Sequence, residues 1–159
     1  MSNTTSARPL NLNRWKALKA AMPRVHYQMG AKADPIDCLP SHLRELDCSG
    51  LVSYFVHNTS QTRGFPDGSV DQHQWCEDNL RALRSYDDLA YTANDPARLF
   101  IGFVEPIYQD GEMIEAGHVW FVWRGLTYES HGGYGVSSRG WLQPFMTQRH
   151  ALAYEWPTE

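Results

Sequence analysis

The chain has 159 residues, enough for one domain with a proper core, because folding at this length removes roughly 70% of the unfolded surface from water. With 42% hydrophobic and 20% charged residues, the composition is that of an ordinary globular protein and argues against long disorder. Fourteen basic residues against eighteen acidic ones give a net charge of −4, which leaves no electrostatic footprint for nucleic acid or anionic lipid.

The N-terminal stretch MSNTTSARPLNLNRWKALKA has no basic segment followed by an apolar run and a small-residue cleavage site, so it does not read as a secretory signal. No apolar run approaches the ~20 residues that span a bilayer. The expectation is a chain made in the cytoplasm whose export, if any, uses another route. Residues 1–12, rich in Ser, Thr and Asn, read as a flexible lead-in or strap, and 13–159 as a single domain. Asn13 is expected to cap a helix over Arg14 to Met22, where Trp15, Leu18 and Met22 recur at helical spacing and Pro23 stops the run. From Val25 to Pro40 the chain is too punctuated by Gly30, Pro35 and Pro40 for a long element.

A helix then starts near Asp47, with Leu51, Val52, Phe55 and Val56 on its buried face. Residues 58–68 form a polar loop, and a second helix is expected from about Ser69 to Tyr86, grouping Trp75, Leu80 and Leu83. The second half changes character. Leu99 to Val104, Gly117 to Trp123, Leu126 to Ser130 and Ala151 to Trp156 are short β-branched and aromatic runs between turns, which predicts one antiparallel sheet. Helices first and strands second indicate an α+β domain with helices on one face of the sheet.

Asp47-Cys48-Ser49-Gly50 puts a thiol in the first turn of an otherwise apolar helix. Free backbone N–H groups and the positive end of the helix dipole favour a thiolate in such a position, and the Cys48 amide can donate toward a developing oxyanion. A cysteine nucleophile needs a base, and seven His are available. His26, His42, His57, His73 and His150 sit in loops or polar helical contexts. His118 opens the run His-Val-Trp-Phe-Val-Trp, where a polar ring at the head of an apolar strand must find a partner. A tight turn at Arg124-Gly125 would pair Trp123 with Leu126, set His118 opposite His131 and place Glu129 diagonally on the same face. Either Glu129 or His131 would then hold the second ring nitrogen, completing a nucleophile, base and orienter.

Other features are weaker. His73 and Cys76 at i and i+3 lack a second pair to complete a zinc set. Cys38 and Cys48 would form a disulfide only outside a reducing compartment. The run Ser130 to Gly135 is glycine-rich without a following helix or Lys, and reads as a mobile rim rather than a phosphate cradle. With aromatics at 13% of the chain, Trp120, Trp123, Trp141 and Tyr134 are candidates for a groove wall, with core packing expected for at least half.

The order of these segments resembles the NlpC-type papain-like cysteine peptidases, which cut the peptide stems of bacterial cell walls. The likeness lies in Asp47-Cys48-Ser49-Gly50-Leu51-Val52, in Tyr27-Gln28-Met29-Gly30-Ala31 upstream, and in Gly117-His118-Val119. It implies a papain-like fold with Cys48 as nucleophile, His118 as base, and Glu129 or His131 in the third slot, where the family more often has His, Asn or Gln. By the same resemblance Tyr27 contacts substrate or assists the oxyanion, and Asp47 and Ser49 line the pocket for the stem's free amine. The expected reaction is hydrolysis of a stem-peptide amide through a thioester, with no cofactor and no metal. The partner is peptidoglycan, reached through a holin, a virion or a secretion system, as for a phage lysis or tail enzyme or an injected effector with an immunity protein. The competing expectations are a cysteine-dependent amidase or acyltransferase on another substrate, and a catalytically idle wall-binding or tail module.

Overall fold

Asn11 opens the first helix. In the computed structural model, which describes residues 7–9, 11–60, 62, 64–84, 91–92, 94–95, 98–132, 135–140 and 151–157, its side chain accepts the N–H groups of Asn13 and Arg14 and starts α1 (Leu12–Ala21). The cap is therefore Asn11 and not the expected Asn13. Both residue types suit the role, and the one whose side-chain oxygen reaches two orphan donors takes it. Pro23 lies in the single 3-10 turn Met22–Arg24 that ends the run. The lead-in is tied down at Arg8, whose carbonyl accepts the Trp156 indole N–H and whose own N–H donates to Thr62.

Asp47 caps α2 (Cys48–Thr59). Leu51 to Val56 are all buried, Ser53 and Tyr54 included, so α2 is enclosed beyond the single face expected of it. The hydroxyl of Tyr54 leaves this apolar setting by donating to the carbonyl of Cys38. The third helix, α3 (Ser69–Asn79), stops well short of Tyr86. Asn79 donates its amide to the Trp75 carbonyl, and the chain extends at once into β1 (Arg81–Ala82). Pairing with the C-terminal strand overrides local helix propensity there, with Arg81 opposite Glu155 and an ion pair of 3.1 Å between them. Leu83 consequently leaves the stripe of Trp75 and Leu80 and packs on the other face of the sheet.

The remaining strands in chain order are β2 (Leu99–Val104), β3 (Ile107–Gln109), β4 (Glu112–Glu115), β5 (His118–Trp123), β6 (Leu126–His131), β7 (Gly135–Gly140) and β8 (Leu152–Trp156). Five of these join β1 in one sheet in the order β1-β8-β2-β5-β6-β7, with every neighbouring pair antiparallel. The four expected strands are all present. The pairs β3–β4 and β6–β7 were not anticipated: the first is a separate, exposed hairpin, and the second makes strand of both ends of the expected rim, Ser130–His131 in β6 and Gly135 in β7, while Gly133 and Tyr134 lie outside the described residues. The fold is thus α+β, with three helices and a mostly antiparallel six-stranded sheet among the described residues.

Both faces of the sheet are buried. On the helix face Phe55 stacks on Phe121 at 4.0 Å, and Trp15 meets Phe55, Phe121 and Tyr128 edge-on. Each such pair adds roughly 0.5–1.5 kcal/mol beyond burial, and together they lock α1 and α2 to β5 and β6. The opposite face holds Phe100, Val104, Trp120, Val122 and Ala153 with Leu83. Trp120 and Trp123 are both buried and so belong to the core rather than to a groove wall; Tyr134 and Trp141 lie outside the described residues.

Candidate active site

Helix α2 is laid along the sheet so that its N-terminus meets the end of the strand that His118 opens. Phe55, in the second half of the helix, sits over Phe121 in mid-strand, while at the other end the Ser130 hydroxyl donates to the Leu46 carbonyl at 2.6 Å. The hairpin sets the register. Arg124 and Gly125 both have positive φ, 54° and 74°, the conformation of a two-residue turn, and they place Trp123 opposite Leu126, Val122 opposite Thr127 and Phe121 opposite Tyr128. Strand alternation then puts His118, Trp120, Glu129 and His131 on one side.

At this end of the sheet three side chains converge. His118 Nε2 lies 2.8 Å from Glu129 Oε2, and the Cys48 thiol is near enough to the same imidazole to raise its pKa. With Nε2 on the carboxylate, Nδ1 is the ring nitrogen left for the thiol. His118 and Glu129 are largely shielded, at 13% and 5% side-chain exposure. Burial alone would lower the imidazole pKa, but hydrogen bonds and charge from Cys48 and Glu129 outweigh it and raise it to about 9. The ring is held protonated at neutral pH. Its plane stacks on Trp120 at 5.6 Å.

His131, the alternative third residue, is exposed. Its ring stands edge-on to His118 at 5.6 Å, and its Nδ1 faces the Gly132 carbonyl at 2.7 Å. Glu129 makes the bond to the base.

The first turn of α2 is tightly specified. Asp47 Oδ1 accepts the Gly50 N–H at 2.6 Å and the Ser49 hydroxyl at 3.2 Å, while Oδ2 accepts the Gly30 N–H at 3.1 Å and an ion pair from Lys32. Lys32 also donates to Ser49 Oγ at 3.0 Å. A side chain at Gly50 would meet the Ala31 carbonyl at 2.5 Å, so glycine is what lets the 27–32 loop lie against the helix. That loop carries Tyr27. Burial first, then the charges of Cys48 and Asp47, push the Tyr27 phenol up from its ordinary value, so its hydroxyl stays protonated. From α3, the buried Gln72 amide donates to the Ser49 carbonyl at 2.9 Å. The amides of Cys48 and Ser49 have no acceptor within the helix, which suits them to an incoming oxyanion.

Sequence reasoning had named Cys48, His118, Glu129, Tyr27, Asp47 and Ser49, and the structure brings these together. It had missed Lys32, Ser130 and Gln72. Lys32 carries no motif and reaches Asp47 only through the folded loop; Gln72, a polar residue at a buried helix position, was the one with a detectable signal. The other candidates fall apart. His73 Nε2 faces the Tyr154 hydroxyl at 2.8 Å, and Cys76 is a fully buried thiol raised by desolvation. All three cysteines are free, so Cys38 does not bridge to Cys48. Among the described residues no cluster of three His, Cys, Asp or Glu suits a metal, and no helix is long and apolar enough to cross a membrane. Comparison with family models and with curated proteins finds no match.

Proposed function

We propose that the chain is a papain-like cysteine hydrolase that cuts an amide bond in the peptide stem of bacterial peptidoglycan. The observation that carries the chemistry is the array of Cys48, His118 and Glu129 at one end of the sheet, with the 2.8 Å bond between His118 and Glu129 fixing the ring that faces the thiol. The substrate class rests on the likeness of the segments around Tyr27, Cys48 and His118 to the NlpC-type enzymes.

In this scheme Cys48 Sγ attacks the scissile carbonyl carbon as thiolate. The oxygen becomes an oxyanion received by the amides of the first turn of α2, with the Tyr27 hydroxyl beside it. The proton on His118 passes to the departing amine, and the C–N bond breaks to leave a thioester on Cys48. The now neutral imidazole takes a proton from water, which attacks the thioester and releases the acid. Glu129 keeps the ring oriented and stabilises its charged form throughout.

The test is digestion of purified peptidoglycan by the wild type and by Cys48→Ala, with fragments identified by mass spectrometry. The expected result is new stem-peptide ends with the wild type and none with the variant. An undigested wall with the wild type, or equal digestion by both, overturns the reading.

A further inference from the structure

The residue preceding the nucleophile is a carboxylate, and that poses an electrostatic difficulty. Asp47 is needed as the cap of α2, yet a second negative charge one residue away opposes a thiolate at Cys48. Three of the donors on Asp47 are neutral: the N–H groups of Gly50 and Gly30 and the hydroxyl of Ser49. The fourth is the Lys32 ammonium, which also binds Ser49 Oγ at 3.0 Å. His118 and Glu129 form an ion pair of their own at 2.8 Å. With Cys48 ionised, Lys32 is the cation bonded to the carboxylate one residue before it.

We propose that Lys32 is a positioning residue that cancels the charge of Asp47, so that the carboxylate capping the helix does not oppose a thiolate at Cys48. Lys32 acts through Asp47 and Ser49 and not on the substrate. This deepens the proposed function, since it presumes a reactive Cys48, but its readout is the chemistry of the thiol and needs no knowledge of the substrate.

The experiment measures the rate of iodoacetamide alkylation of Cys48, located by peptide mapping, at one mildly acidic pH, with thermal melts confirming that each variant is folded. Lys32→Met should slow alkylation by about tenfold, the scale of one unit charge at close range. Lys32→Arg should stay within about threefold of the wild type, because it keeps the charge. The decisive variant is Lys32→Met combined with Asp47→Asn: Asn retains the cap but removes the charge, and should recover most of the lost rate. Asp47→Asn alone leaves Lys32 unopposed and should alkylate faster than the wild type, which keeps the test open even if Lys32→Met fails to fold. An unchanged rate in Lys32→Met, a double variant no faster than Lys32→Met, or a slower Asp47→Asn overturns the proposal, the second by showing that Lys32 is only a tether. Thiol rates that follow this pattern while peptidoglycan stays intact would separate the fate of this inference from that of the proposed substrate.

Discussion

At the scale of single residues, the pair His118 and Glu129 decides the pH behaviour of the site. Replacing Glu129 by Gln removes a charge partner and should bring the imidazole down from about 9 toward its usual 6.5. Turnover should fall by about a hundredfold or more, the scale of a mispositioned general base, and the alkaline limb of the pH–rate profile should move to lower pH. His131→Ala, which removes an exposed ring standing edge-on to the base, should retain activity within about threefold. Equal losses in the two variants would reverse their roles. Stability follows the same groups. Because the folded-state pKa of His118 lies above its unfolded value, its contribution is complete below 6.5 and disappears as pH rises through about 9. Melting temperature should therefore drop by several degrees across that window in the wild type and by less in Glu129→Gln, as measured by circular dichroism.

The elements that carry the site differ in how far their own residues specify them. Gly50 shows the tightest case. A methyl there would sit 2.5 Å from the Ala31 backbone carbonyl and 2.9 Å from Asp47 Oδ1, a carboxylate oxygen held in place by Gly50 and Ser49. Gly50→Ala should cost about 1–3 kcal/mol in chemical denaturation and should reduce activity further by displacing the loop that carries Tyr27. The start of α2 was legible because an aspartate cap, small residues and an apolar run are contiguous in sequence. The β5–β6 hairpin was legible for a similar reason, since the two-residue turn fixes the pairing from within. The end of α3 was not, because β1 is extended by a partner more than seventy residues away. The β3–β4 hairpin escaped notice because its strands are exposed along their whole length and lack the alternation that burial imposes. Lys32 escaped for want of any local pattern linking it to Asp47.

For the whole molecule, strand order matters more than any one contact. β8 lies between β1 and β2 and pairs with both, so the last of the described strands is an interior strand of the sheet. Its Tyr154 and Trp156 are buried on the helix face, and the Trp156 indole stacks on Trp75 at 5.5 Å. Truncation before Leu152 should therefore abolish cooperative unfolding, whereas excising the exposed β3–β4 hairpin with a short turn should leave a folded protein with an alkylatable Cys48. Far-ultraviolet circular dichroism and thermal melts would check both, and a cooperative melt in the truncated chain would contradict this order of importance.

An interior position for β8 also has a consequence for biosynthesis. Every partner that this strand joins leaves the ribosome before it does, so β1 and one edge of β2 wait unpaired until the segment Leu152–Trp156 emerges. The nascent polypeptide thus passes through a stage in which the thiol and the imidazole have both been synthesised but the scaffold beneath them is unfinished. Completion of the sheet waits on the emergence of Leu152–Trp156, and a nascent chain stalled before that point offers an open sheet edge to chaperones.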